Sequence, residues 1–232
     1  MPTVDALIRQ LETGTHYERT LAAHALGDHH DPRAIDALIR ILEDQSEDCA
    51  VRMAAADALG RIGNPKAMEP LIRTIGEMCD RHLLQAVAKA LGAFQGPRVT
   101  DALVKALGYE YYTAHAAAES LKKLRDRRAV EPLIRRLEDK RGGGYHREFP
   151  AQILGVLGDP RAIPALVKAL RDVSVFLKRK ALESLRGFIL THPDAILRLP
   201  PEDRHLLGRQ IQDAQRKELL KKLCRKSRNK TR

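Results

Sequence analysis

Residues 51–72 read VRMAAADALGRIGNPKAMEPLI, and this stretch decides the fold. Its first half is rich in alanine, with Ala54, Ala55, Ala56 and Ala58 giving a helix a narrow face that another helix can approach closely. Asn64-Pro65 then signals a new helix start. The Asn side chain can accept from a free backbone N–H, and Pro at a first helical position gives up only an N–H that has no partner there. An apolar stripe at helical spacing follows, most clearly in the equivalent Ile35, Leu38, Ile39 and Leu42 of the preceding copy. The stretch is therefore helix A, turn, helix B, and neither helix can bury its apolar face alone.

The same unit recurs along the chain. Leu59 has counterparts at Leu26, Leu91, Leu121 and Leu154, and a weaker one at Leu185, in steps of 33, 32, 30, 33 and 31 residues. Turns at Asp31-Pro32 and Asp159-Pro160 repeat the Asn64-Pro65 signal, and Gly27, Gly60, Gly92 and Gly155 each follow a reference leucine. A period near 32 residues with two helices per copy is the mark of an α-solenoid, in which stacking supplies the continuous core that no single copy has. The expected organisation is an all-α solenoid of about six helical-pair repeats over residues 1–200, with a capping helix and basic tail over 201–232.

The composition agrees. Of 232 residues only 4% are aromatic, none is Trp, and the three cysteines lack a CxxC spacing. This disfavours a disulfide framework and fits a reducing compartment. No apolar run approaches the ~18 residues a membrane span needs, and the amphipathic N-terminus MPTVDALIRQLE does not read as a targeting peptide. A soluble, cytoplasmic protein is expected. The net charge is +11, but residues 214–232 hold nine Lys or Arg against Glu218 alone, so eight of those eleven charges sit in the tail. The remainder is nearly neutral, and the overall charge says little about the body of the protein.

Val51-Arg52, Ala54-Ala55, Ala58-Leu59-Gly60, Gly63-Asn64-Pro65-Lys66-Ala67 and Leu71-Ile72 together resemble the HEAT-like repeats named after the phycobilisome lyases. The resemblance covers roughly residues 16–190. It implies a right-handed superhelix of stacked pairs. It is specific for fold rather than function, because the repeat serves scaffolds, adaptors and a few enzymes. The lyases attach bilins to antenna proteins. A related enzyme, deoxyhypusine hydroxylase, holds two irons through His-Glu dipeptides, and this chain has no His-Glu dipeptide. HEAT-like DNA glycosylases surround a base with aromatic side chains, and the absence of Trp departs from that pattern.

Places where the repeat departs from regularity are where function is sought. An acidic loop carries Glu43, Asp44, Glu47 and Asp48, and a glycine-rich stretch, DKRGGGYH, covers 139–146. Pro150 stands where other copies have Ala22, Ala55 and Ala117, so that A helix is expected to start late or kink. After Pro193 the pattern stops, and Pro200-Pro201-Glu202-Asp203 reads as the start of the cap.

Several residue sets could carry binding. Arg9, Arg40, Arg73, Lys105, Arg135 and Lys168 share one position on the B helices. Asp5, Asp36, Glu69, Asp101 and Glu131, each four residues earlier, are expected to neutralise the row, and only Lys168 lacks such an acid. Arg33, Lys66, Arg98, Arg128 and Arg161 form a second row in the turns, read as structural. Arg19, Arg52 and Arg147 are expected to pair with turn acids such as Asp31, Asp126 and Asp159. Nine residues before every reference leucine except Leu59 stand Tyr17, His82, Tyr112, Tyr145 and Phe176. They are either staples for the A helices or contact anchors. Tyr109, Tyr111, Tyr112, His115, Tyr145 and Lys168 are the partner-binding candidates. The tail residues Lys221, Lys222, Arg225, Lys226 and Arg228 are candidates for an anionic partner, or else a solvated end. His29-His30-Asp31 has too few ligands nearby for a metal site. No nucleophile elbow, phosphate loop or Cys–His spacing points to catalysis, so no catalytic residue, metal or cofactor is assigned. The expectation is a non-catalytic scaffold or adaptor that holds another protein or peptide. A bilin-lyase-like or other HEAT-repeat enzyme, and nucleic-acid binding through the tail, are the alternatives.

Overall fold

The computed structural model describes residues 2–77, 80–141 and 144–212. The tail candidates Lys221, Lys222, Arg225, Lys226 and Arg228 lie outside the described residues. Among those described, every regular element is a helix: α1 (Val4–Thr13), α2 (His16–His29), α3 (Ile35–Glu43), α4 (Cys49–Ile62), α5 (Met68–Gly76), α6 (Arg81–Leu91), α7 (Pro97–Ala106), α8 (Tyr111–Leu124), α9 (Val130–Glu138), α10 (Gly144–Leu157), α11 (Ile163–Ala169), α12 (Val175–Thr191), α13 (Pro193–Leu197) and α14 (201–212). None is long and apolar enough to cross a membrane. The fold is an all-α solenoid, divided into compact units at residues 1–133 and from 134 onward.

In the first unit the A helices α2, α4, α6 and α8 pack each on the next, and the B helices α1, α3, α5 and α7 form a second layer beside them. In the second unit α10 packs on α12, and α11 and α13 pack on α12. The core is made by the reference leucines, of which Leu26, Leu59, Leu91, Leu154 and Leu185 are fully buried, and by B-helix residues such as Leu38, Leu71, Leu103 and Leu166.

The turn signals work in a modified way. Asp31, Asn64, Asp126 and Asp159 each accept from the backbone N–H two residues on. Each opens a short 3-10 turn (Pro32–Ala34, Pro65–Ala67, Arg127–Ala129, Pro160–Ala162) that leads into the B helix. The glycines after the reference leucines are close-approach points rather than helix ends. A Cβ on Gly27 would sit 2.9 Å from the Ala58 Cα, and one on Gly60 would sit 2.8 Å from the Ala90 Cα. These small residues set how tightly consecutive A helices stack.

Two local expectations change. α10 begins at Gly144, so Tyr145 is helical rather than in a loop, and the helix neither starts late nor stops at Pro150, which lies inside it. A proline there forfeits one backbone bond. The turn before it is held from two sides, because Arg147 Nε donates to the Leu137 carbonyl and its Nη1 pairs with Asp172 at 2.7 Å. The acidic loop is also absorbed into the scaffold: Glu43 pairs with Arg73, Glu47 with Arg19, and Asp48 caps α4.

Candidate partner-binding surface

The charged rows are arranged differently from their sequence spacing. Arg40 pairs not with Asp36 but with Glu12 of the preceding B helix, at 2.6 Å, and Arg73 likewise pairs with Glu43. Lys168 is not left without an acid, because Glu138 takes it at 2.9 Å. Asp5, Asp36 and Glu69, expected to neutralise the B-helix cations, are instead engaged by turn cations of the following repeat, Arg33 at 3.0 Å, Lys66 at 3.5 Å and Arg98 at 2.7 Å. Neighbouring helices typically lie about 8–10 Å apart, within reach of an Arg or Lys side chain. Arg40, Arg73 and Lys168 of the first row and Arg33, Lys66 and Arg98 of the second therefore tie repeat to repeat instead of bracing their own helices. Each exposed pair contributes little, about 0–1 kcal/mol.

Arg19, Arg52 and Arg147 do not reach the turn acids, which are held by Arg33, Arg128 and Arg161 of their own turns. The three arginines, Arg52 buried and Arg19 and Arg147 part-buried, form a clamp. Each Nε donates to a carbonyl at the end of the preceding B helix: Arg19 to Leu11 at 2.8 Å, Arg52 to Leu42 at 2.9 Å, and Arg147 to Leu137 at 2.9 Å. A cation at a helix C-terminus is favoured by the helix dipole and satisfies an orphan carbonyl. Each guanidinium also faces an acid that follows the next B helix: Glu47 for Arg19, Glu77 for Arg52 at 4.0 Å, and Asp172 for Arg147. The Asp172 carboxyl is held below the usual range by the Ser174 N–H, then by Arg147, against the opposing effect of burial.

At the third copy both members of the clamp are replaced. Leu84 stands at the arginine position and Tyr109 at the acid position. The Tyr109 hydroxyl donates directly to the Ile75 carbonyl at 3.0 Å, the same place on α5 that Arg52 serves on α3. Tyr109 is thus half-buried with its polar end used by the scaffold, which sets it apart from the other tyrosine candidates.

Tyr111 and Tyr112 are more open to solvent. The column of aromatic positions falls at the second residue of each A helix: Tyr17 in α2, His82 in α6, Tyr112 in α8, Tyr145 in α10 and Phe176 in α12. Tyr17 is 73% exposed, and Tyr112 and Phe176 are each 59% exposed, so these three do not serve as buried staples. The helix starts are held instead by polar caps: Thr15 with Glu18, Asp80, Glu110 and Ser174. On α8 the aromatic groups cluster. Tyr111 meets Tyr112 edge-on with centroids 5.6 Å apart and stacks on His115 at 6.1 Å. His115 Nε2 lies 3.9 Å from Glu119. Tyr145 contacts His146 and Phe149 and is only partly exposed.

Two grooves occupy equivalent places between successive B helices. One, of about 250 Å³ in the second unit, is lined by Leu137, Glu138, Arg147, Lys168 and Asp172 among others. The other, of about 280 Å³ between α5 and α7, is lined by Ile72, Ile75, Gly76, Ala102, Lys105 and Tyr109 among others. Sequence reasoning missed the second groove. The signal was present three residues after each ladder cation, where Glu12, Glu43 and Glu138 give way to Gly76, and likewise to Gly108 and Arg171. Among the described residues no three His, Cys, Asp or Glu side chains gather as a metal site. Burial, then hydrogen bonding to Asp80, pushes the Cys49 thiol up, away from the reactive thiolate.

Residues 4–81, 45–112 and 108–186 match the family model for HEAT repeats. Among solved structures, the chain is similar to one in the complex of CpcE and CpcF of phycocyanin lyase from Nostoc sp. PCC7120. That chain is 25% identical with a TM-score of 0.55, covering 93% of this chain and 89% of that one. Two engineered proteins share the fold at 20% identity. One has a TM-score of 0.55, covering 90% of this chain and 62% of that one. The other has a TM-score of 0.52, covering 81% and 96%. No curated protein sequence matches significantly.

Proposed function

Because this chain belongs to the HEAT-repeat family, matched over residues 4–186, we propose that it is a non-catalytic scaffold holding a partner protein along the open starts of its A helices. The observation that carries this reading is the Tyr111–Tyr112–His115 cluster, exposed on a helix whose start is already capped by Glu110. Exposed aromatic side chains are costly to leave in water and are the residues most often found as binding anchors. Arg40, Arg73 and Lys168 of the B-helix row offer less, since each is paired with an acid of the preceding repeat. The similar chain from Nostoc was itself solved in a complex with a second chain, which supports a partner of protein class.

The test compares wild type with Tyr111→Ala/Tyr112→Ala. A partner recovered stoichiometrically from native lysate with wild type, and lost with the double variant at unchanged Tm, supports the scaffold. Equal recovery with both chains refutes the aromatic edge as the contact.

A second reading is favoured by the likeness to the phycocyanin lyase complex across nearly the whole chain. In that reading this chain acts as one half of a bilin-attaching pair. A covalent, visibly absorbing product on apo-phycocyanin that forms only when this chain is present would establish it. A colourless product with every candidate second chain would remove it.

A further inference from the structure

We infer that the α5–α7 groove receives an acidic side chain from a peptide segment of the partner, whose carboxylate pairs with Lys105 in the space that Gly76 leaves open. This rests on the partner-holding reading above and names the chemistry of the contact.

The repeat is its own control. Where the ladder cation is Arg40, Arg73 or Lys168, the preceding B helix ends in Glu12, Glu43 or Glu138, and each pair is formed. Lys105 occupies the same position on α7, but its counterpart on α5 is Gly76. Nothing lies within 4 Å of where a Gly76 Cβ would be, so the glycine is not required by close packing. Lys105 is exposed, and no ion pair joins it to any described residue. Asp101, one turn earlier, and Arg98 also line the groove; Arg98 is paired with Glu69, and Asp101, whose counterparts serve the next turn cation, has its charge felt at Arg128 and forms no ion pair with Lys105. The floor beneath Lys105 is apolar, formed by Ile72, Ile75 and Ala102. A Glu or Asp beside an aliphatic residue fits both parts, with the carboxylate on Lys105 and the aliphatic group on the floor. The clamp gap in the same copy is closed by Tyr109, whereas the ladder gap is closed by nothing among the described residues.

The test selects random dodecapeptides, displayed on phage, against the immobilised full-length chain. Selected peptides should share one Glu or Asp next to an aliphatic residue. Lys105→Ala should weaken a synthetic copy of such a peptide by about two- to fivefold, the range of an exposed ion pair. Gly76→Glu supplies the missing carboxylate from within. It should compete the peptide out at least as strongly, with an unchanged or raised Tm that shows the fold is intact. Failure to select peptides, selection without an acid, or equal binding by both variants would overturn the inference. If the native partner is then still lost with Tyr111→Ala/Tyr112→Ala, the scaffold reading stands and only the groove assignment fails.

Discussion

The clamp swap at the third copy makes a quantitative prediction. Arg52 is 7% exposed, and its Nε bond to the Leu42 carbonyl is buried. Arg52→Leu removes a charged donor, leaves that carbonyl unsatisfied at the end of α3, and leaves Glu77 without its cation. A hydrogen bond to a charged group contributes about 1.5–3 kcal/mol, and an orphaned buried acceptor costs about 1–3 kcal/mol. These are two descriptions of one loss rather than a sum. The added apolar contact of Leu offsets part of it, so about 2 kcal/mol net is expected. At this chain length that corresponds to roughly 4–8 °C in Tm. Adding Glu77→Tyr transplants the third copy's solution, because the introduced phenol would stand to Leu42 as Tyr109 stands to Ile75. The double variant should recover most of the loss, giving a favourable coupling of about 1–2 kcal/mol in a double-mutant cycle. Glu77→Tyr alone should cost less than about 1 kcal/mol, since Glu77 is partly exposed and 4.0 Å from Arg52. Urea unfolding followed by far-ultraviolet circular dichroism on all four chains gives the cycle. If the double variant is as unstable as the sum of the single ones, Leu84 and Tyr109 are not an exchangeable clamp.

Three further outcomes follow from the same geometry. His30 and Arg125 end α2 and α8 with φ of 51°, where Gly63 serves at the end of α4. His30→Gly and Arg125→Gly should each raise stability by about 0.5–1 kcal/mol in thermal melts, because a side chain there is strained and glycine is not. Gly60→Ala places a Cβ against the Ala90 backbone. It should lower stability by about 1–3 kcal/mol, whereas Gly76→Ala, with open space around it, should not. The Asp31, Asp126 and Asp172 carboxyls are held below their ordinary values, and hydrogen bonds from Arg141 bring Asp139 to about 2. A depressed folded-state pKa stabilises the fold above the unfolded value near 4 and is lost as pH falls through the folded value. Urea midpoints should therefore drop between about pH 4 and pH 2, and Asp172→Asn should flatten that limb while lowering the plateau at neutral pH.

The helical pairs, their order and their turns were legible because each is written locally: an alanine face, a side-chain cap, a proline, an apolar stripe. The partners of the charges were not. Sequence spacing offers Asp36 to Arg40 on one helix, and that offer is real but weak, whereas stacking brings Glu12 just as near and the fold uses it. The three tyrosines at 109–112 were equally indistinct. Position along the chain gives no hint that the Tyr109 hydroxyl turns inward to Ile75 while Tyr111 and Tyr112 stay in water. The late start expected from Pro150 was wrong for the same reason: a propensity argument counts the lost backbone bond but not the tertiary anchor that Arg147 supplies three residues earlier.

These cases suggest how departures in a repeat protein can be sorted. A repeat position is under one demand, to join its neighbours, so a departure there either has a compensating change elsewhere or leaves a group unserved. Leu84 is the first kind: the missing donor reappears in Tyr109, and the α5 carbonyl remains bonded. Gly76 is the second kind: the acid that Glu12, Glu43 and Glu138 present at this position has no replacement beside Lys105 among the described residues, and the exposed Lys105 stands beside Ile72, Ile75 and Ala102. The exposed aromatic positions differ from both, since capping residues already do the work a staple would have done and the rings remain in contact with water. Only departures of the last two kinds are free to be shaped by something outside the chain, which is why the α8 start and the α5–α7 groove, rather than the more numerous arginines, are where a partner should be sought.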